Sequence, residues 1–116
     1  SSDVCSSDLI YMTKRIIFLD YDETYTTNKP MWNEIVRLWK ANGFDVVCCT
    51  NRFGHTHYDA DVIEDMGRID VPIVWAAHYS DKWAAMEAAD YVPENGIWVD
   101  DRPMYIWLNR SVETLP

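Results

Sequence analysis

Four carboxylates, one threonine and one lysine are spaced along the chain so that they could act on a phosphoryl group. Asp20 and Asp22 flank Tyr21 in the segment Asp20-Tyr21-Asp22-Glu23-Thr24, just after the apolar run Ile16-Ile17-Phe18-Leu19. Two carboxylates this close repel, and a bound Mg²⁺ with oxygen ligands would relieve the repulsion. One carboxylate could attack phosphorus while the other serves as general acid and base, a use of aspartate that is well established chemically. The plain alternative is a polar turn whose Asp and Thr satisfy backbone groups. Thr50-Asn51 ends a second apolar run, where a hydroxyl and backbone N–H groups could hold phosphate oxygens. Arg52 beside it is a candidate contact for a substrate phosphate. Lys82 opens a helical stretch, where a cation is mildly unfavourable with the helix dipole and invites an explanation. Asp100-Asp101 follows Ile97-Trp98-Val99, and metal binding is the natural reason for an acidic pair there. His55 and His57 alternate but have no companion ligands, so we read them as ordinary polar residues.

These residues need elements to hold them. The run through Leu19 reads as a strand buried on both faces, of the parallel-sheet kind. Pro30 suits a first helical turn, and Met31, Ile35, Leu38 and Trp39 follow at helical spacing until Asn42-Gly43 supplies the stop. Residues 44–49 read as a second strand. Tyr58, Val62, Ile63 and Met66 mark a second helix closed by Gly67. Residues 71–75 read as a third strand with Pro72 near its start. Ser80 is the expected cap of a helix over residues 81–89. Residues 97–99 form the fourth strand, and a last helix is expected through Met104, Trp107 and Leu108. The alternation of strand and helix predicts an α/β domain with an open parallel sheet and helices on both faces. Ligands in such sheets bind at the carboxyl ends of the strands, where Asp20, Thr50 and Asp100 would meet.

Taken in order, Asp20-Tyr21-Asp22-Glu23-Thr24, Thr50, Lys82 and Asp100-Asp101 resemble the four motifs of the haloacid dehalogenase-like superfamily, most of whose members are phosphatases. The resemblance covers residues 15 to about 109. It implies a Rossmannoid sheet of strand order 3-2-1-4 and a Mg²⁺-dependent hydrolysis of phosphomonoesters. It implies Asp20 as nucleophile and metal ligand, and Asp22 as acid and base with its backbone carbonyl on the metal. Asp100 and Asp101 become further metal ligands, and Thr50, Asn51 and Lys82 become holders of the phosphoryl oxygens. Asp22 favours phosphatase over dehalogenase, because an alkoxide leaving group needs an acid and a halide does not. Glu23 stands where the family often has glycine, a departure read as minor. The intervals Asp22 to Thr50 and Thr50 to Lys82 leave no room for a cap domain. The expected site is therefore open and suited to a nucleotide, a polynucleotide end or another bulky phosphoester. A receiver-like phospho-acceptor is the non-enzymatic alternative, but its acidic pair comes first and its lysine last, the reverse of the order here.

The remaining composition narrows the setting. The 116 residues carry a net charge of −9, which opposes bulk nucleic-acid binding. No apolar run approaches a membrane span, so no membrane partner is expected. Cys48 and Cys49 lie side by side in the second strand and read as small buried hydrophobes facing opposite ways, which points to a reducing, cytoplasmic compartment. Tyr21, Tyr25, Phe53 and Tyr79 near the expected rim could stack on a base or pack against loops. Trp39, Trp75 and Trp98 read as core. Residues 1–11 resemble a translated sequencing-adapter read-through, with Met12 as the start of a single domain over residues 12–116. A fifth strand common in the family has no clear counterpart, which makes C-terminal truncation an expectation too.

Overall fold

A computed structural model describes residues 15–108. The expected leader and start residue lie outside this range. Four strands, β1 (Ile16–Leu19), β2 (Asp45–Thr50), β3 (Ile73–Trp75) and β4 (Gly96–Val99), form one parallel sheet in the order β3-β2-β1-β4. This is the strand order expected. Three helices join them: α1 (Lys29–Ala41), α2 (Ala60–Arg68) and α3 (Lys82–Ala88). No helix among the described residues is long and apolar enough to cross a membrane.

The alternation of side chains along the strands builds two core layers. Ile17 and Leu19 of β1 join Val46 and Cys48 of β2, Val36 of α1, and Val62 and Met66 of α2. Phe18, Val47 and Cys49 face the other way and meet Ala85 and Met86 of α3. Cys48 and Cys49 therefore sit on opposite faces, as expected, and burial pushes both thiols up, Cys49 to about 12. Neither is a nucleophile at neutral pH, since the reactive form is the thiolate. Trp39 and Trp75 pack against the first layer and Trp98 against the second, each only partly buried. A Cβ on Gly96 would lie 1.9 Å from the Phe18 ring, so the central aromatic of the second layer requires glycine at the start of β4.

The helix ends correct several expectations. Asn28 caps α1 through its side chain. The second helix starts at Ala60, leaving Tyr58 exposed, because Asp59 turns its carboxylate back to accept from Gly54 N and His55 N. It runs through Gly67 and ends ahead of Asp70, which holds the left-handed conformation (φ 55°). Asp81, not Ser80, caps α3: its Oδ1 accepts from Ala84 N at 2.7 Å. Val71 and Pro72 precede β3. Where a last helix was expected, the described residues hold only a 3₁₀ turn at Pro103–Tyr105.

Tyr21 and Tyr25 are not on the rim. They are 0% and 1% exposed and stack at 5.6 Å within the first layer. The alternation that begins at Ile17 simply continues through Leu19 to Tyr21. Its buried hydroxyl needs an acceptor, and Asp65 of α2 supplies one at 2.6 Å. Lys29 and Arg68 also reach Asp65, at 2.8 and 3.1 Å; Lys29 is partly exposed, and Arg68, at 66%, is exposed and contributes little. Burial pushes the Asp65 carboxyl up, and hydrogen bonds from Lys29 and Tyr21 outweigh it, so the group sits below its ordinary value. Its stabilising effect is thus complete above the ordinary value of 3.8 and is lost as pH falls through the lower folded value. We expect Asp65→Asn to cost about 1–2 kcal/mol at neutral pH. In urea melts the gap between wild type and variant should close below pH 3.8; a gap independent of pH would show that the charge is irrelevant.

Candidate active site

Parallel pairing brings the acidic residues together. Leu19 and Val99 are register partners in neighbouring strands, so Asp20 and Asp100 leave the sheet side by side. Asp20 N donates to Val99 O at 2.9 Å, extending the ladder by one bond. A cavity of about 250 Å³ opens at these strand ends. Asp20, Asp22, Asn51, Lys82, Asp100 and Asp101 all line it.

Lys82 is the hub. It is only 2% exposed, and its ammonium donates to Asp20 Oδ1 at 2.9 Å and to Asp100 Oδ2. The unfavourable position at the start of α3 is explained by these two carboxylates. Burial alone would push the ammonium down, but the hydrogen bonds to Asp100 and Asp20 hold it above its ordinary value. Asp20 is 7% exposed, and burial raises its carboxyl to about 6 despite the pull of Lys82. Contact with Asp101 adds to the rise, and Asp101 is lowered chiefly by the hydrogen bond from Asp20.

Asp20, Asp100 and Asp101 each present a carboxylate oxygen, all within 4.8 Å of one another, an arrangement able to hold a cation. The donors are all oxygen, which suits a hard divalent ion. The Asp22 carboxylate stands apart from this cluster. Arg52 grips it with two bonds, at 2.9 and 2.7 Å, and also reaches Asp59 and Asp61. Its guanidinium lies 5.5 Å from the Tyr21 ring centroid. Arg52 thus bonds Asp22 and ties the first loop to the start of α2.

Thr50 does not line the cavity. It is fully buried at the end of β2, and its Oγ1 has no hydrogen-bond partner among the described residues. A buried hydroxyl without a partner is uncommon, and an incoming oxygen acceptor would satisfy it. Phe53 and Tyr79 are exposed, as a rim role requires. His55 Nδ1 accepts from the backbone of His57 and Tyr58, a local turn.

Three features were not assigned roles from sequence. Thr24 Oγ1 donates to Asp20 Oδ2 at 3.0 Å and accepts from Asp101 N at 3.2 Å, linking the loops after β1 and β4. Its place at the end of the Asp-x-Asp-x-Thr segment was the available signal. Glu23 adopts a left-handed φ of 60°, a conformation in which side chains are uncommon. Its N–H donates to Thr26 Oγ1 at 2.9 Å, which offsets part of the strain. Arg102 and Tyr105 complete one wall of the cavity. They come from a stretch read as part of a last helix, which folds instead into a 3₁₀ turn at Pro103–Tyr105, so the helical pattern did not point to them.

Comparison of the chain with protein-family models, curated proteins and solved structures finds no match.

The Thr24 link is directly testable. Thr24→Val keeps the shape and removes both bonds, and should lower stability by about 1–2 kcal/mol in denaturant melts. Thr24→Ser should recover most of the loss. Equal losses in the two variants would mean that methyl packing, not the hydroxyl, matters here.

Proposed function

We propose that the protein is a Mg²⁺-dependent phosphomonoesterase of haloacid dehalogenase-like type, working through an aspartyl phosphate on Asp20. The observation that carries this reading is the convergence of Asp20, Asp22, Lys82, Asp100 and Asp101 on one cavity at the carboxyl edge of a parallel sheet. The sheet order supports the same reading.

Asp20, Asp100 and Asp101 would hold the Mg²⁺, and the Asp22 backbone carbonyl is a further candidate ligand. The ion, when bound, would neutralise carboxylate and phosphoryl charge together. Phosphoryl transfer needs positioning and charge neutralisation above all. In the first step an Asp20 carboxylate oxygen forms a bond to phosphorus as the ester P–O bond breaks. Asp22 gives its proton to the departing oxygen. In the second step Asp22 takes a proton from water, the water oxygen bonds phosphorus, and the acyl phosphate bond breaks. Inorganic phosphate leaves and Asp20 is restored. Lys82 and the Asn51 backbone would hold phosphoryl oxygens from the cavity wall, and the unpartnered Thr50 hydroxyl would add a donor from below. Arg52 holds both Asp22 oxygens in the resting site and would release one of them for each proton transfer. The open cavity favours a substrate whose leaving group extends into solvent.

Steady-state phosphate release from an aryl phosphate should require Mg²⁺ and vanish in Asp20→Asn. Asp22→Asn should lower turnover by about 10²–10⁴-fold on an alkyl phosphate, and by less on the aryl phosphate, whose leaving group needs no proton. Hydrolysis that persists in excess chelator would overturn the reading. Stable phosphorylation without turnover would mark a phospho-acceptor instead.

A further inference from the structure

Arg102 and Tyr105 have no part in the steps above, yet both face the same cavity. They ride on a short segment that is anchored at several points. Arg102 N donates to Asp100 Oδ1 at 2.9 Å, and Tyr105 N donates to Arg102 O at 3.0 Å. Trp83 N of α3 donates to Ile106 O at 2.9 Å, and Leu108 N donates to Asp81 Oδ2 at 3.2 Å. The wall is therefore held in register with the nucleophile and with Lys82.

The other cations near the cavity are engaged. Lys82 is taken by Asp20 and Asp100, and Arg52 by Asp22, Asp59 and Asp61. Arg102 differs. Its ion pairs with Glu23 and Asp101 are 3.8 and 3.9 Å long, beyond hydrogen-bond distance, and its side chain is 57% exposed. In a cavity lined mostly by carboxylates and by the engaged Lys82, a loosely held guanidinium is the group best able to take a second anion, and it binds phosphate in two-pronged fashion. Tyr105 beside it is 37% exposed, and an exposed ring offers a face for stacking. A volume of about 250 Å³ is small for a ligand pocket, so a ring on the leaving group would lie outside, against this wall. The charge of −9 disfavours a long polyanion.

Resting on the phosphatase reading, we infer that the substrate is a small nucleotide with a second phosphate, its base on Tyr105 and its non-reacting phosphate on Arg102. A nucleoside bisphosphate and a terminally phosphorylated dinucleotide share this chemistry. Both residues are specificity determinants and neither takes part in the bond changes at phosphorus.

The test compares kcat/KM of the full chain with Mg²⁺ on glycerol phosphate, adenosine monophosphate, adenosine bisphosphate, a terminally phosphorylated dinucleotide and a phosphotyrosine peptide. The monophosphate should exceed glycerol phosphate by about tenfold, and the bisphosphate should exceed the monophosphate by a similar factor. Tyr105→Ala should erase the first ratio, with Tyr105→Phe retaining it. Arg102→Ala should erase the second. Preference for the dinucleotide over the bisphosphate would place the second anion in a diester. Equal rates on all substrates, ratios unchanged in the variants, or preference for the phosphopeptide would overturn the inference while leaving the phosphatase reading intact. If wild type hydrolyses none of them, the phosphatase reading fails. Calorimetry with adenosine bisphosphate then decides the inference alone: binding lost in Arg102→Ala supports it, and no binding to wild type overturns it.

Discussion

A buried ammonium between two carboxylates holds this end of the molecule together. Lys82 comes from α3, Asp20 from the end of β1 and Asp100 from the end of β4. Taking each charge out of water costs several kcal/mol, and only close pairing offsets it. The sheet leaves little choice, because the register of β1 and β4 delivers Asp20 and Asp100 to adjacent positions. The lysine is what makes that adjacency tolerable. The helix dipole at the start of α3 opposes a cation, and the carboxylates outweigh it.

Lys82 answers only part of the local charge. Asp101 also converges on Asp20, whose carboxyl is raised to about 6 by burial against the pull of its lysine. A site with more carboxylates than cations is electrostatically incomplete, and a divalent ion is the simplest completion. The phosphoryl group proposed to bind there would add still more negative charge, which the proposed Mg²⁺ would offset. Arg52 bonds both oxygens of Asp22, whose carboxylate lies outside the cluster of Asp20, Asp100 and Asp101.

Much of the frame was legible because apolar runs set it. The runs 16–19 and 44–49 read as interior parallel strands, and their ends located Asp20 and Thr50; the second strand is in fact Asp45–Thr50. Asp100 followed from Gly96–Val99 by the same logic. What escaped was decided by tertiary geometry. Tyr21 and Tyr25 sit in a polar stretch, yet the chain turns back through a 3₁₀ turn and buries both, with the Tyr21 hydroxyl on Asp65 of α2 and the Tyr25 hydroxyl on Asn33 of α1. The alternation Ile17, Leu19, Tyr21 did carry that information for the first of them. Ser80 and Asp81 are equally good caps on paper, and the choice depended on Asp81 also accepting from Leu108 N. The ion pairs of Arg52 were not legible, because Asp22 lies 30 residues away and Asp59 and Asp61 sit at the start of the next helix, which only folding brings near.

The central claim is that Asp20 carries the phosphoryl group during turnover. The direct measurement is acid quenching of the wild-type protein while it hydrolyses an aryl phosphate with Mg²⁺, followed by peptide mass spectrometry. The added mass of one phosphoryl group is expected on the peptide containing Asp20, absent without Mg²⁺ and absent in Asp20→Asn. A phosphoryl group on any other residue, or active turnover with none trapped on Asp20 at any quench time, would contradict it.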